Sequence, residues 1–217
     1  MPLAIFDHDG VLVDSLEFHQ RAWLELGARA GLPFTEEFIR ATFGMTNPSI
    51  FRSLLGNDLD PGEIAHLGDL KEQCYRDVAR DQLVLMPGVR ETLDALSRRG
   101  WLLAIGSSGP RANLELTIER CGLEGRFASI VGLEDITHGK PDPEVFLRAA
   151  ERAGEPASAS VVFEDAIVGI QAALAAGMQA IGVGTTNPID VLIEAGAHMA
   201  VQGLDQFDVE RFIGDLR

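Results

Sequence analysis

Along this chain, short apolar runs alternate with longer stretches whose apolar residues recur at helical spacing. The runs at 3–6, 101–105, 129–131, 160–163 and 179–183 are too short for helices, and each gives way to a small or polar residue. Between them, 89–99, 111–121, 143–153 and 167–176 carry the helical pattern, and Gly100, Gly122, Gly154 and Gly177 follow as stops. Strand, helix, glycine, strand in short repetition predicts an α/β fold: a doubly wound, parallel, Rossmann-like sheet covered by helices.

The rhythm fails between residues 15 and 82. Amphipathic stretches at 16–30, 36–41, 49–55 and 63–79 fill this region without a buried strand, which predicts an inserted bundle of α-helices. A Pro-Gly turn at Met86-Pro87-Gly88 then restores the α/β pattern. The predicted organisation is a core of residues 1–14 and 83–217 interrupted by a helical domain at 15–82.

Composition narrows the partners. The 217 residues are 46% hydrophobic and 24% charged, a globular balance, and the net charge is −15. No run of Lys or Arg forms a stripe that could neutralise a phosphate backbone, which argues against nucleic acid, and the acidity repels anionic membranes. Cys74 and Cys121 have no metal-binding or disulfide-framework spacing. The N-terminal MPLAIFDHDG lacks a basic leader pattern, and no apolar run approaches the roughly 18 residues of a membrane span. A cytoplasmic protein is expected, as monomer or homodimer.

Chemistry gathers where the strands end. The first strand runs into Asp7-His8-Asp9-Gly10, two carboxylates at the edge where open α/β sheets place their ligand crevice. Such a pair can hold a divalent cation or divide into nucleophile and proton donor; alone, it is also an ordinary Asp-Gly turn. The next strand gives Gly106-Ser107-Ser108-Gly109, whose hydroxyls and backbone N–H groups suit a phosphate. Pro110 stands where a GxSxG nucleophile motif needs its last glycine, so Ser107 reads as a ligand. Lys140, in Gly139-Lys140-Pro141-Asp142-Pro143, is one of only two lysines among 18 basic residues, which suggests a position that needs a compact ammonium. Glu164-Asp165 closes a fourth run. Acids at a helix start are ordinary, but four such groups after four strands of one sheet are not.

These four segments, in this order, resemble the motifs of the haloacid dehalogenase superfamily: Asp7 to Ser15 the first, Ser107 the second, Lys140 within GKPDP the third, Glu164-Asp165-Ala166 the fourth. The helical insert is similar to the cap of its β-phosphoglucomutase-like subgroup, which includes many sugar-phosphate phosphatases. The resemblance implies that Asp7 attacks phosphorus to form an aspartyl-phosphate and that Asp9 serves as acid and then base. It implies Mg²⁺ held by Asp7, the Asp9 main-chain carbonyl and Asp165, with Glu164 as a further or outer ligand. Ser107, Ser108, Gly109 and Lys140 would hold the phosphoryl oxygens, and Gly10 would allow close approach. His8, by strand alternation, is expected to point away from both aspartates and to pack.

The insert bears on what attacks the phosphoenzyme. Ser15, His19 and Lys71 resemble the mutase pattern, whereas Gly44-Met45-Thr46-Asn47 has Asn47 where that pattern has a phosphate-binding arginine; Arg52 is the nearest substitute. Trp23 reads as a core anchor. The expectation is therefore a magnesium-dependent phosphatase of a small phosphorylated metabolite, a sugar phosphate foremost, with β-phosphoglucomutase as the alternative. A non-catalytic phospho-receiver fits less well because of the insert. A dehalogenase would leave the acid cluster without purpose, and a phosphonatase needs a cap lysine that is absent between Ser15 and Leu70. Hinges at 13–15 and 85–87 are expected to let the cap close.

Overall fold

The computed structural model describes residues 1–42 and 46–215, so Gly44 and Met45 lie outside the described residues. The chain divides into two compact units, Met1–Asp14 with Val84–Arg217, and Ser15–Leu83.

The first unit is built on a six-stranded parallel sheet in the order β3-β2-β1-β4-β5-β6. The strands are β1 (Leu3–Phe6), β2 (Leu102–Gly106), β3 (Ser129–Val131), β4 (Ser160–Glu164), β5 (Gln179–Val183) and β6 (Met199–Val201). β1 is central and every residue of it is buried, which is why it reads as an uninterrupted apolar run. Its side chains divide between the two faces with a period of two. Ala4 and Phe6 join a core with Leu93, Leu96 and Leu114 of helices α5 (Val89–Arg98) and α6 (Arg111–Arg120). Leu3 and Ile5 join the opposite core with Phe146 and Ile170 of α7 (Glu144–Ala153) and α8 (Ile167–Ala175). Phe6 stacks on its register partner Phe163 with ring centroids 4.5 Å apart, fixing β1 against β4 at their C-terminal ends.

Two boundaries differ from the sequence pattern in ways that matter. β2 starts at Leu102, because the Trp101 N–H is taken by the Leu96 carbonyl at the end of α5. β4 runs one residue further, pairing Glu164 with Gly182, so Glu164 is held in the ladder and Asp165 lies just past it. β6 has no counterpart in the sequence pattern: unlike β3, the three-residue strand at the other sheet edge, none of its residues is fully buried. The short α9 (Ile189–Glu194) and α10 (Val209–Asp215) complete this unit's helices.

The second unit consists of α1 (Leu16–Ala30), α2 (Glu36–Ala41), α3 (Asn47–Leu55) and α4 (Pro61–Ala79). α3 and α4 begin two residues earlier than their apolar patterns, since capping rather than periodicity sets a helix start. Asp60 accepts hydrogen bonds from the Gly62 and Glu63 N–H groups, with Pro61 opening α4. Trp23, Phe34 and Phe51 form the unit's aromatic core, with Trp23 5.0 and 5.2 Å from the other two rings.

Candidate active site

The β1 ladder stops at Phe6, and the Asp7 N–H donates to the Phe163 carbonyl as the strand's last tie to β4. Beyond it, residues 8–13 close a tight loop, with the Leu12 N–H on the His8 carbonyl and the Gly10 N–H on that of Val13. Asp7 is 8% exposed, and its carboxylate receives Lys140 Nζ at 2.8 Å. The same ammonium donates to Glu164 Oε1 at 2.6 Å and lies 4.8 Å over the Phe146 ring. Residues from after β1, at the end of β4 and from the turn before α7 thus meet at one charged centre.

Asp165 completes it. One carboxylate oxygen from each of Asp7, Glu164 and Asp165 lies within 4.8 Å of the others, all three residues being buried. Two glycines make the crowding possible. A Cβ on Gly10 would fall 1.9 Å from Asp165 Oδ2, and a Cβ on Gly169, in the first turn of α8, would fall 1.9 Å from Glu164 Oε1. Gly10 also has φ of +77°, a second reason for glycine there.

Three carboxylates against one ammonium leave negative charge uncompensated. Burial raises the Asp7 carboxyl to about 6, with Lys140 opposing and Glu164 and Asp9 adding to the rise. Burial, then the charges of Glu164 and Asp7, pushes Asp165 to about 8. Lys140 moves the other way: burial disfavours its charge, but Asp7 and Glu164 outweigh that and hold the ammonium well above lysine's ordinary range. An all-oxygen, charge-deficient set of this kind fits a hard divalent cation such as Mg²⁺. Asp7 and Asp165 are the carboxylates that could hold it. Glu164 is suited to an outer position, because its two oxygens already receive Lys140 and the Ala166 N–H.

The remaining strand-end residues surround this centre. Ser107 is buried, and its Oγ accepts from the Gly109 N–H at 3.0 Å; Ser108 is exposed. A Cβ built on Gly109 would lie 3.3 Å from Ser107 Oγ and 3.6 Å from Asp9 Oδ2, so Ser107, Gly109 and the Asp9 carboxyl share one corner.

The expectation for His8 needs correction. Its ring does not point away from both aspartates: Nδ1 is 3.0 Å from Asp9 Oδ1, and Nε2 is 2.7 Å from Thr117 Oγ1 on α6. Strand alternation cannot be extended to it because the ladder has ended two residues earlier.

The loop after β5, which sequence reasoning passed over, supports the same centre. Thr185 Oγ1 donates to the Gly10 carbonyl at 2.6 Å, Asn187 Nδ2 donates to the Asp165 carbonyl at 2.9 Å, and the Thr186 hydroxyl hydrogen-bonds the Asp165 carboxyl. A polar Thr-Thr-Asn run one glycine past an apolar strand was the available signal.

In the helical unit, the structure joins His19, Asn47 and Lys71 through a residue the sequence reading did not single out, Glu72. Its Oε1 receives Lys71 Nζ at 2.8 Å and Asn47 Nδ2 at 2.9 Å, and Lys71 Nζ also lies 2.8 Å from His19 Nδ1. Burial works against the Glu72 charge, but Lys71, His19 and Asn47 outweigh it and lower the carboxyl's pKa. Ser15 is buried ahead of α1 without capping it through its side chain, and Arg52 is exposed. Of the other histidines, His198 Nδ1 accepts the Ala180 N–H and His138 lies 3.5 Å from Glu144. Among the described residues, no helix is long and apolar enough to cross a membrane.

Residues 4–183 match the haloacid dehalogenase-like hydrolase family. The chain is 34% identical over 182 residues to a fructose-1-phosphate phosphatase of Escherichia coli K12, spanning 82% of this chain and 94% of that one. It is 30% identical over 203 residues to a phosphorylated carbohydrates phosphatase of Thermotoga maritima, spanning 91% and 92% of the two chains. Among solved structures, the β-phosphoglucomutase of Clostridium difficile superposes with a TM-score of 0.83 over 99% of this chain and 96% of that one; at 22% identity this likeness concerns the fold alone.

Proposed function

The chain belongs to the haloacid dehalogenase-like hydrolase family, and on that premise we propose that it is a magnesium-dependent phosphatase of small phosphorylated carbohydrates that works through a phosphoaspartate on Asp7. The observation that carries this reading is the buried Asp7 carboxylate, tied to Lys140 at 2.8 Å and crowded by Glu164 and Asp165. An Asp7 oxygen attacks phosphorus, and the bond from phosphorus to the sugar oxygen breaks. Asp9 gives that oxygen its proton. Asp9 then takes a proton from water as the water attacks the phosphoaspartate, releasing phosphate and restoring the Asp7 carboxylate. Lys140, the Ser107 hydroxyl and the Ser108 N–H carry the phosphoryl oxygens, with the Gly109 N–H orienting Ser107 Oγ. Asp7, Asp165 and the Asp9 carbonyl, with Glu164 behind them, would hold a magnesium ion, which would supply charge neutralisation at the phosphoryl group.

Hydrolysis is favoured over phosphoryl transfer within a sugar phosphate by the similarity to a fructose-1-phosphate phosphatase and a phosphorylated carbohydrates phosphatase. The buried free thiols Cys74 and Cys121 support a reducing, cytoplasmic setting.

Phosphorus NMR tests the proposal. With Mg²⁺ and either fructose 1-phosphate or β-glucose 1-phosphate plus a trace of the 1,6-bisphosphate, inorganic phosphate should accumulate over many turnovers. It should vanish in Asp7→Asn and on chelation of the metal. Accumulation of glucose 6-phosphate would establish the mutase instead, and a single stoichiometric phosphorylation without turnover would point to a receiver.

A further inference from the structure

His8 is a histidine enclosed between an acid and an alcohol. Its side chain is 1% exposed; Nε2 lies 2.7 Å from Thr117 Oγ1, a fully buried hydroxyl on α6, and Nδ1 lies 3.0 Å from Asp9 Oδ1. The facing atoms Nδ1 and Oδ1 are both shut off from solvent and meet at short range without the alignment of a hydrogen bond, whereas the Asp9 side chain as a whole is 37% exposed. One carboxylate oxygen is therefore turned inward onto the imidazole. The other, Oδ2, faces the corner shared with Gly109 and Ser107.

The hydrogen-bond chemistry gives this arrangement a direction. In a neutral imidazole only one nitrogen carries a proton. If the Thr117 hydroxyl donates to Nε2, the proton sits on Nδ1, the nitrogen 3.0 Å from Asp9 Oδ1, and the two meet as a close electrostatic contact rather than an aligned hydrogen bond; a doubly protonated ring turns that contact into an ion pair while Thr117 accepts. Two contacts thus hold the ring: Thr117 on α6, 109 positions away, and Asp9 next to it in the chain.

We propose that His8 is a positioning residue for Asp9: it pins Oδ1 so that Oδ2 is the oxygen that exchanges the proton with the departing sugar oxygen. The proposal rests on the reading of Asp9 as acid and base. His8 touches neither substrate nor phosphorus. Its effect should therefore appear only when the leaving group needs a proton.

This sets the experiment. The parameter kcat/KM reports the steps through departure of the leaving group. It is measured with Mg²⁺ for fructose 1-phosphate, whose alkoxide needs protonation, and for p-nitrophenyl phosphate, whose phenolate leaves without it. Asp9→Asn should lose about 10²-fold or more on the sugar phosphate and far less on the aryl ester. His8→Leu, which fills the slot without a donor, should show the same selectivity at about 10- to 100-fold, the usual weight of a group that orients a reacting one. His8→Asn, whose amide nitrogen sits as many bonds from Cβ as Nδ1, should recover most of the loss. Thr117→Val should lose about 5-fold with the same selectivity, as expected for one hydrogen bond.

The ratio of the two substrates does not depend on how much of a preparation is folded. Equal losses on both substrates in His8→Leu and Thr117→Val, or failure of His8→Asn to recover the ratio, would overturn the positioning role. If Asp9→Asn itself treats both substrates alike, the reading of Asp9 fails first and the proposal falls with it.

Discussion

Replacing glycine by alanine inside a helix ordinarily stabilises a protein by about 0.5–1 kcal/mol, because the unfolded chain loses freedom and the helix gains propensity. At Gly169 the sign should reverse. The added Cβ would stand 1.9 Å from both Glu164 Cδ and Oε1 and 2.4 Å from Oε2. A flexible side chain could swing away, but Glu164 is only 1% exposed and held at both oxygens, by Lys140 at 2.6 Å and by the Ala166 N–H at 2.8 Å. Moving it sacrifices charge-assisted bonds worth about 1.5–3 kcal/mol each without a route to water. Against a helix gain of about 1 kcal/mol, the net expectation is destabilisation of about 2–5 kcal/mol. Gly68 in α4 is the internal control, since a Cβ there meets nothing within 4 Å; Gly68→Ala should stabilise. Urea melts of the two variants beside the parent, without added metal, make the comparison. If Gly169→Ala is as stable as the parent or more so, the claim that glycine is there to make room for the buried carboxylate is wrong.

Three further outcomes are expected. Lys140→Met removes the one cation between Asp7 and Glu164, so kcat/KM for a phosphorylated sugar should fall by more than about 10²-fold, and loss of less than 10-fold would count against its place at the phosphoryl group. Glu72→Gln leaves the Lys71 ammonium buried without its partner carboxylate and should cost about 3–5 kcal/mol, read by calorimetry. Asp135 is held at about 2 rather than 3.8, by Arg152 first, with the Gly132 N–H and Arg111 adding to it; its stabilising share is present above 3.8 and disappears as pH falls towards 2. Asp135→Asn should accordingly be less stable than the parent at pH 6, with the gap closing by pH 2 in acid-unfolding curves.

How much of this could be read from residues in a row depends on distance along the chain. β1, β3 and β5 and the helices around them were legible because each is set by a local period and a local stop, and burial on both faces makes the central strands uniformly apolar. The same logic exposed Asp7, Ser107, Lys140 and the Glu164-Asp165 pair as polar residues following apolar runs. β6 escaped because, unlike β3 at the other edge, none of its three residues is fully buried.

What only the folded chain decided are relations between residues that no local pattern links. Glu72 gathers Lys71 beside it with Asn47, 25 positions away, and Lys71 reaches His19 across 52; the Thr185 hydroxyl reaches the Gly10 carbonyl across 175. Gly169 looks like a weak point in a helix until Glu164 is found against it. His8 shows the limit most plainly, since strand alternation is a rule about ladders and the ladder ended at Phe6. Alternation and helical spacing record which side of an element is apolar, and that is fixed locally by backbone geometry. Which polar group stands opposite another is settled by the packing of separate elements, where burial makes each unmet charge or hydroxyl find its partner.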